Sequence, residues 1–434
     1  MIGKVHAGAG LWLLFAMLLP PQAGAAELPA GTVLKAQNLA SHLEDSFEGT
    51  SIAELLPERL RWQILEQGLT ITLAHARPHP KDPLLEAATA RNRGKLTLDP
   101  KTGRVPGWEA GVPFPDISLD DPQAALKVMW NLTYGQPHGD SQVFPRTAIA
   151  EIHAERGYEK AGRQKIVRVF LKGLLRREGR PVLGTGRLFD KSLVVVEGPR
   201  DAPGSGAVLI RYDTGEDEFL VTYAHEARKV VRWQGGYWMD QLGTTDFVGD
   251  DVLLFNAYPT WYGSFRILEK KKILVVANTK HPFWRPEAGP LPEQFPGIDL
   301  ANLPHWNPVD VWEPREVFVV EAIPPERHPY GRKVLYIDAE NWLPYLGEFY
   351  SRSGRFWKAS VLGYHVFPVE GDGEGAIIWP TWQVIADFRR HHGSIFITDD
   401  SAHFNLAIDP EALNLDSIKD RCANCLPVEE PPSP

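Results

Sequence analysis

Cysteine and methionine are scarce in this chain, at 2 and 4 of 434 residues. Both cysteines fall in "CANC", Cys422 and Cys425, beside the Pro-rich end "LPVEEPPSP". A zinc site needs more ligands at suitable spacing, and a redox CxxC opens a helix in a βαβ setting. Neither setting surrounds this pair, which leaves a small local disulfide as the reading in an oxidising compartment. Positive charge is also in deficit, the formal net charge being -9. That sign repels phosphate backbones, and no basic stripe with interleaved aromatics offsets it, so nucleic acid is excluded as a partner. Signatures of catalysis are missing as well: there is no G-x-S-x-G, no H-E-x-x-H and no P-loop. His225-Glu226 lacks a second His, and Gly204 to Gly206 reads as a turn. The chain reads as a non-enzyme with no catalytic residue, no metal ligand and no cofactor.

Long apolar runs are confined to the start. Lys4, then "LWLLFAMLL" (Leu11 to Leu19), then "AGAA" (Ala23 to Ala26) follow the three-part pattern of a cleaved secretory signal over residues 1–26. The apolar run is about half of what a membrane span needs, and no later segment approaches that length. Loss of residues 1–25 removes one positive charge, Lys4, shifting the net charge from -9 to -10. The mature chain is expected in the periplasm, exported and soluble, with association to the outer membrane left open.

What remains, 43% hydrophobic over the whole chain, suffices for a large core. Residues 27–145 carry few signals, and those are helical. "SIAELLPERLRWQILEQG" has Ser51 and Glu54 as a capping box, Leu56, Leu60 and Ile64 at helical spacing, Pro57 as the first residue of the main helix, and Gly68 as its stop. "DPQAALKVMWNLTYG" places Asp121 at an N-cap and Leu126, Met129, Trp130 and Tyr134 on one face, ending at Gly135. From about residue 146 to 400 the pattern becomes short β-rich runs between turn residues, such as "GAVLIRYD", "DEFLVTYA" and "RKVLYID". Eleven or so strands with few helices between them predict a mainly β fold: a large curved antiparallel sheet forming a half-open barrel. Residues 277–314, with eight prolines, predict a packed flap over that sheet or a wrap on its edge. Residues 401–434 form a C-terminal tail.

Ten of the 14 tryptophans follow residue 230. Curved sheets not filled by their own side chains hold cavities lined by such residues, so an apolar ligand is expected among Leu60, Ile64, Trp130, Trp233, Trp261, Trp342, Phe349, Trp357 and Trp382. In "ADFRRHHG", period-two spacing would put Asp387, Arg389 and His391 on one strand face, as a salt-bridge ladder or as the polar mouth of that cavity. Asp250 and Asp251 in "VGDDVLLF" read as a turn before a strand.

The segments "TGRVPGWEAGVPFP", "LIRYDTGEDEFLVTY", "VWEPREVFVVEAIPPERHPYGRKVLYID" and "IADFRRHHGSIF" resemble the bacterial family called domain of unknown function 1329, whose members are often labelled outer-membrane lipoprotein-sorting proteins. The succession of strand, "ID", tight turn, "LP" and strand resembles the related LolA and LolB lipoprotein carriers. The resemblance implies helices plugging the concave side of the half-barrel and a cavity for acyl chains. It also implies a periplasmic carrier or chaperone for a lipid or other apolar ligand, partnered by an exporter of the resistance-nodulation-division type and an outer-membrane barrel protein. Two other readings stay open: a non-catalytic sensor or interaction module of the cell envelope, and a metal-dependent or esterase-type hydrolase.

Overall fold

The computed structural model describes residues 25–177, 179–198, 203–369, 375–422 and 425. Apart from Ala25 and Ala26, the segment expected to be a secretory signal lies outside the described residues, as does the Pro-rich end at 426–434. The N-terminal part runs β1 (Val33–Leu34), α1 (Leu39–His42), the pair β2 (Ser46–Phe47) and β3 (Thr50–Ser51), α2 (Ile52–Leu55), α3 (Glu58–Glu66), β4 (Ile71–Leu73), α4 (Pro83–Asn92) and α5 (Ala124–Tyr134). Six strands follow: β5 (Ser141–His153), β6 (Gly157–Phe170), β7 (Leu188–Gly198), β8 (Gly206–Tyr212), β9 (Phe219–Ala224) and β10 (Lys229–Gln234). After a long loop come β11 (Ser264–Val275), α6 (Leu291–Gln294), β12 (Ile298–Asp299) and β13 (Asn307–Pro308). The chain then makes β14 (Val311–Ile323), β15 (Tyr330–Asp338), β16 (Pro344–Ser351), β17 (Phe356–Pro368), β18 (Ala376–Asp387), β19 (His392–Thr398), β20 (His403–Phe404) and α7 (Leu415–Lys419).

Sixteen strands form one sheet in the order β1-β4-β14-β15-β16-β17-β18-β19-β5-β6-β7-β8-β9-β10, with β11 on β14 and β20 on β5. The fold is mainly β, and the sheet stays open, since β1 and β10 end its path without pairing to each other. Neighbours are antiparallel except β4 with β14, which makes the sheet mixed. Through β1 and β4 the N-terminal segment therefore joins the sheet as well as packing on it.

Two adjustments to the sequence reading concern helix ends. Ser51 does cap α2, its Oγ accepting the Glu54 N–H at 3.3 Å, but the chain then leaves helical geometry at Leu56 and restarts after Pro57, giving two short helices. In α5 the regular turns begin at Ala124, after a turn in which Asp121 accepts the Gln123 N–H at 2.8 Å. A third correction concerns "ADFRRHHG". The strand ends at Asp387, and residues 388–391 form the tight turn to β19, so Asp387, Arg389 and His391 do not share a strand face. Asp387 Oδ1 accepts the N–H groups of Arg389 and Arg390 at 3.0 and 3.1 Å, and His391 adopts φ of 51°, which lets the turn close without glycine.

The two faces of the sheet are covered differently. Cross-strand register places Lys333, Phe349, Lys358, Asp387, His392 and His153 in one row, with Ser360, Ser394 and Glu151 two residues along on the same face. The loop from 235 to 263 lies over this face. Its Thr244 donates to Glu151 at 2.6 Å, Asp246 accepts from Ser394 at 2.8 Å, Leu253 N–H donates to Gln383 at 2.9 Å, and Asp250 meets Lys333. On the opposite face α3 docks through Trp62, edge-on to Phe356 and Phe388 at 5.6 and 4.8 Å. Trp306, from the Pro-rich segment, lies so close over Gly393 that a Cβ there would come within 2.9 Å of its ring. Every position of β16 and β18 is buried, as two covered faces require.

Candidate functional site

A groove of about 740 Å³ lies between the α2–α3 junction and strands β11, β14, β15 and β16. Its shape follows from the local sequence. Pro57 ends α2 and turns the chain, so the residues from Thr50 to Arg61 form a wall held off the sheet. The floor is Val319, Val334 and Tyr336, which point away from the loop-covered face. The far wall is β11, where the register with β14 slips between Ile267 and Glu269. That bulge puts Leu268 on the wall of the groove with 41% of its surface exposed.

Polar groups converge on the same space. The Glu348 carboxylate accepts from Tyr336 at 2.8 Å and from Tyr350 at 2.5 Å. Burial pushes the Glu348 carboxyl up from its ordinary range, against the two tyrosine hydrogen bonds and the nearby Arg59 and Arg332. Burial and Glu348 together push the Tyr350 hydroxyl up to about 12. Arg332 stacks over the Tyr350 ring at 3.9 Å while holding Glu321 at 3.3 Å, and Arg59 lies 5.0 Å from the centre of the Phe356 ring. Lys271 is paired with Glu269 at 2.6 Å, whereas Arg61 and Lys272 have no ion-pair partner among the described residues. The groove thus combines apolar floor and wall with two uncommitted cations at its rim.

The other chemically dense cluster is sealed. Lys333 Nζ lies 2.7 Å from Asp250 and 3.2 Å from Asp251, and all three side chains are fully buried. Lys333 also donates to the carbonyls of Asp250 and Leu254. Tyr262 donates to Asp250, Tyr330 donates to Asp251 at 2.6 Å, and the N–H groups of Asn256 and Ala257 donate to Asp250 at 3.1 and 3.0 Å. Burial would push the Asp250 carboxyl up, but Lys333 and His328 hold it down at about 2. Protein donors engage both carboxylates, Asp251 Oδ1 through its ion pair with Lys333 alone, and among the described residues no group of three or more His, Cys, Asp or Glu is placed to hold a metal ion. The cluster ties the 235–263 loop to β15, a structural role.

None of the nine residues expected to line an apolar cavity borders the groove. Leu60 and Ile64 sit beneath α3 in the main core. Trp130 is buried in a separate cluster with Trp108 and Tyr134, its Nε1 donating to Gly103 O at 2.8 Å. Trp233 stands on edge strand β10, 43% exposed. Trp261 stacks on Trp238 at 5.5 Å and Trp342 on Phe318 at 5.9 Å. Trp382 lies flat across Gly363, directly opposite it in register. The structure does bring Phe349 and Trp357 together, on either side of Tyr330 at 5.2 and 5.3 Å. Trp357 donates to Asp387 at 2.9 Å and carries Arg389 over its ring at 4.7 Å, which makes a local lock at the β18–β19 turn. Cys422 and Cys425 are bonded to each other. Sequence reasoning missed the groove residues Glu348, Tyr350, Arg332 and Leu268. The available signal was "ILEKKKI", where three lysines follow an apolar run on one strand.

A family model described as "Protein of unknown function (DUF1329)" matches residues 33–414. No curated protein matches the chain. Among solved structures, a domain named as an outer membrane lipoprotein-sorting protein from Vibrio parahaemolyticus overlaps 69% of this chain and 100% of its own, with TM-score 0.47 and 14% identity. A DUF1329 family protein from Desulfovibrio piger overlaps 64% of this chain and 92% of its own, with TM-score 0.42 and 12% identity. A LolA superfamily protein from Nitrosomonas europaea overlaps 64% and 91%, with TM-score 0.35 and 15% identity.

Proposed function

The chain belongs to the DUF1329 family, and from that premise we propose that it is a periplasmic carrier of an amphiphilic lipid, held in the groove under the α2–α3 junction. The observation that carries this reading is the exposure of Leu268 at the β11 bulge, facing an apolar floor of Val319 and Val334 beneath a wall of helix. A volume of about 740 Å³ falls in the range of roughly 300 to 1,000 Å³ typical of small-ligand sites. Burying an acyl chain stabilises a complex by about 0.8 kcal/mol per CH₂, so even half of a long chain in the groove gives several kcal/mol. The rim cations Arg61 and Lys272 suit an anionic head group. No nucleotide motif is present, so loading and release would follow differences in affinity between donor and acceptor, for which an exporter and an outer-membrane barrel are our candidates.

Native mass spectrometry of the protein released from the periplasm tests this. The wild type should carry a co-purifying lipid, and Leu268→Glu, a change at an exposed side chain, should lose it while keeping its thermal midpoint. A ligand-free wild type, or lipid retained in Leu268→Glu, would overturn the groove as the site.

A further inference from the structure

A second, smaller cavity of about 50 Å³ lies on another part of the sheet and shares no lining residue with the groove. Two arginines line it, Arg168 from β6 and Arg211 from β8. Between them on β7 is one fully buried carboxylate, Asp190. Arg168 donates to Asp190 at 2.7 Å, and the hydrogen bond from Arg211 goes to the neutral side chain of Asn256. No ion pair of Arg211 forms among the described residues; Glu218, the other nearby carboxylate, accepts instead from the Trp238 N–H at 2.9 Å. Asp190 thus pairs with Arg168 alone, and Arg211, with Asp190 and Glu218 near it, forms no ion pair of its own beside the cavity among the described residues.

Two buried donors are also left over. Arg168 Nε and Trp379 Nε1 both belong to residues lining this cavity, both are shielded from solvent, and neither has a hydrogen-bond partner among the described residues. Trp379 as a whole is 6% exposed. Other indole N–H groups are also unpartnered among the described residues, but these two belong to residues that line one cavity together with a second arginine, and a buried N–H is stabilised by an acceptor. His138 Nδ1 donates to the Gly139 carbonyl at 2.8 Å, burial holding the imidazole neutral, and no hydrogen bond joins its ring to Arg168 Nε or Trp379 Nε1 among the described residues. Its ring, stacked on Phe170 at 4.0 Å, forms an apolar side of the cavity.

We infer that this cavity is a binding site for a small oxyanion, a carboxylate or phosphate group, held by Arg168, Arg211 and the indole N–H of Trp379. An oxyanion offers the lone pairs that both orphaned donors need and the charge that the second arginine lacks. The group could be a free anion or the head of a larger molecule.

Thermal midpoints of the mature protein in acetate, inorganic phosphate and chloride at matched ionic strength test the inference. Acetate or phosphate should raise the midpoint saturably where chloride does not. Arg211→Gln should weaken that response about tenfold, and Trp379→Phe, which removes little besides the N–H, about fivefold. The Trp379→Phe variant decides the matter should Arg211→Gln fold poorly. A midpoint that follows ionic strength alone, or an unchanged acetate and phosphate response in Trp379→Phe, would show a site filled by water and overturn the inference. Octanoate separates the two sources: binding much tighter than acetate marks the head group of an amphiphile, and equal binding marks a free anion.

Discussion

Lys333 shows what one residue does in this protein. A lysine within the strand "RKVLYID" is tolerated because Asp250 and Asp251 arrive from the loop across the sheet face, and the hydroxyls of Tyr262 and Tyr330 and the N–H groups of Val248, Asn256 and Ala257 hold those carboxylates in place. Removing one member strands the others. Lys333→Met alone should lower the unfolding free energy by about 3–5 kcal/mol, and the triple change with Asp250→Asn and Asp251→Asn should cost less than the sum of its parts. Acid titration gives an independent check. The Asp250 carboxyl is held below its unfolded value of 3.8, at about 2, so its contribution is complete above pH 4 and is lost as pH falls toward 2. Chemical denaturation at pH 5, 3 and 2 should show that loss in the wild type and not in the triple variant.

At the scale of elements, the legible parts of the sequence were those whose signal is local. Short β-rich runs between turn residues, such as "GAVLIRYD", "DEFLVTYA" and "RKVLYID", gave β8, β9 and β15, and Ser51 gave the start of α2. β5 went unread because Pro145 interrupts it; the chain accommodates that proline where the register with β6 slips between Phe144 and Thr147. The β18–β19 turn went unread because His391 takes the left-handed conformation that usually advertises itself as glycine. The cover formed by residues 235–263 could not be read at all, since Lys333, Gln383 and Ser394 meet it only through sheet register. Such crowding of tryptophan suggested a lined cavity, but a sheet buried on both faces consumes the same residues as packing. The groove, likewise, depends on a bulge and on a helix break, both invisible to periodicity. The wall of that groove is itself testable. Leu60 lies in the core under α3, so Leu60→Glu places an unpaired charge there. If the wall opens as a unit, bound lipid should be lost while the β-sheet circular dichroism signal and thermal midpoint persist; a midpoint that collapses with binding makes α3 core and not a door.

The molecule is a large open sheet with both faces covered and a groove between a helical wall and an edge strand. β11 pairs with β14 alone, and its exposed lysines discourage strand-to-strand association while leaving Leu268 free at the bulge. The cover on the opposite face is anchored by buried ion pairs, and the proposed lipid site is on the α3 side. Photo-crosslinking locates the ligand directly. A phospholipid with a diazirine in its acyl chain, loaded onto the mature protein and irradiated, should leave adducts on peptides containing Leu268, Val319 and Val334. Adducts confined to peptides around Trp130, Trp261 or Trp382, or no adduct above a denatured control, would contradict the groove as the lipid site.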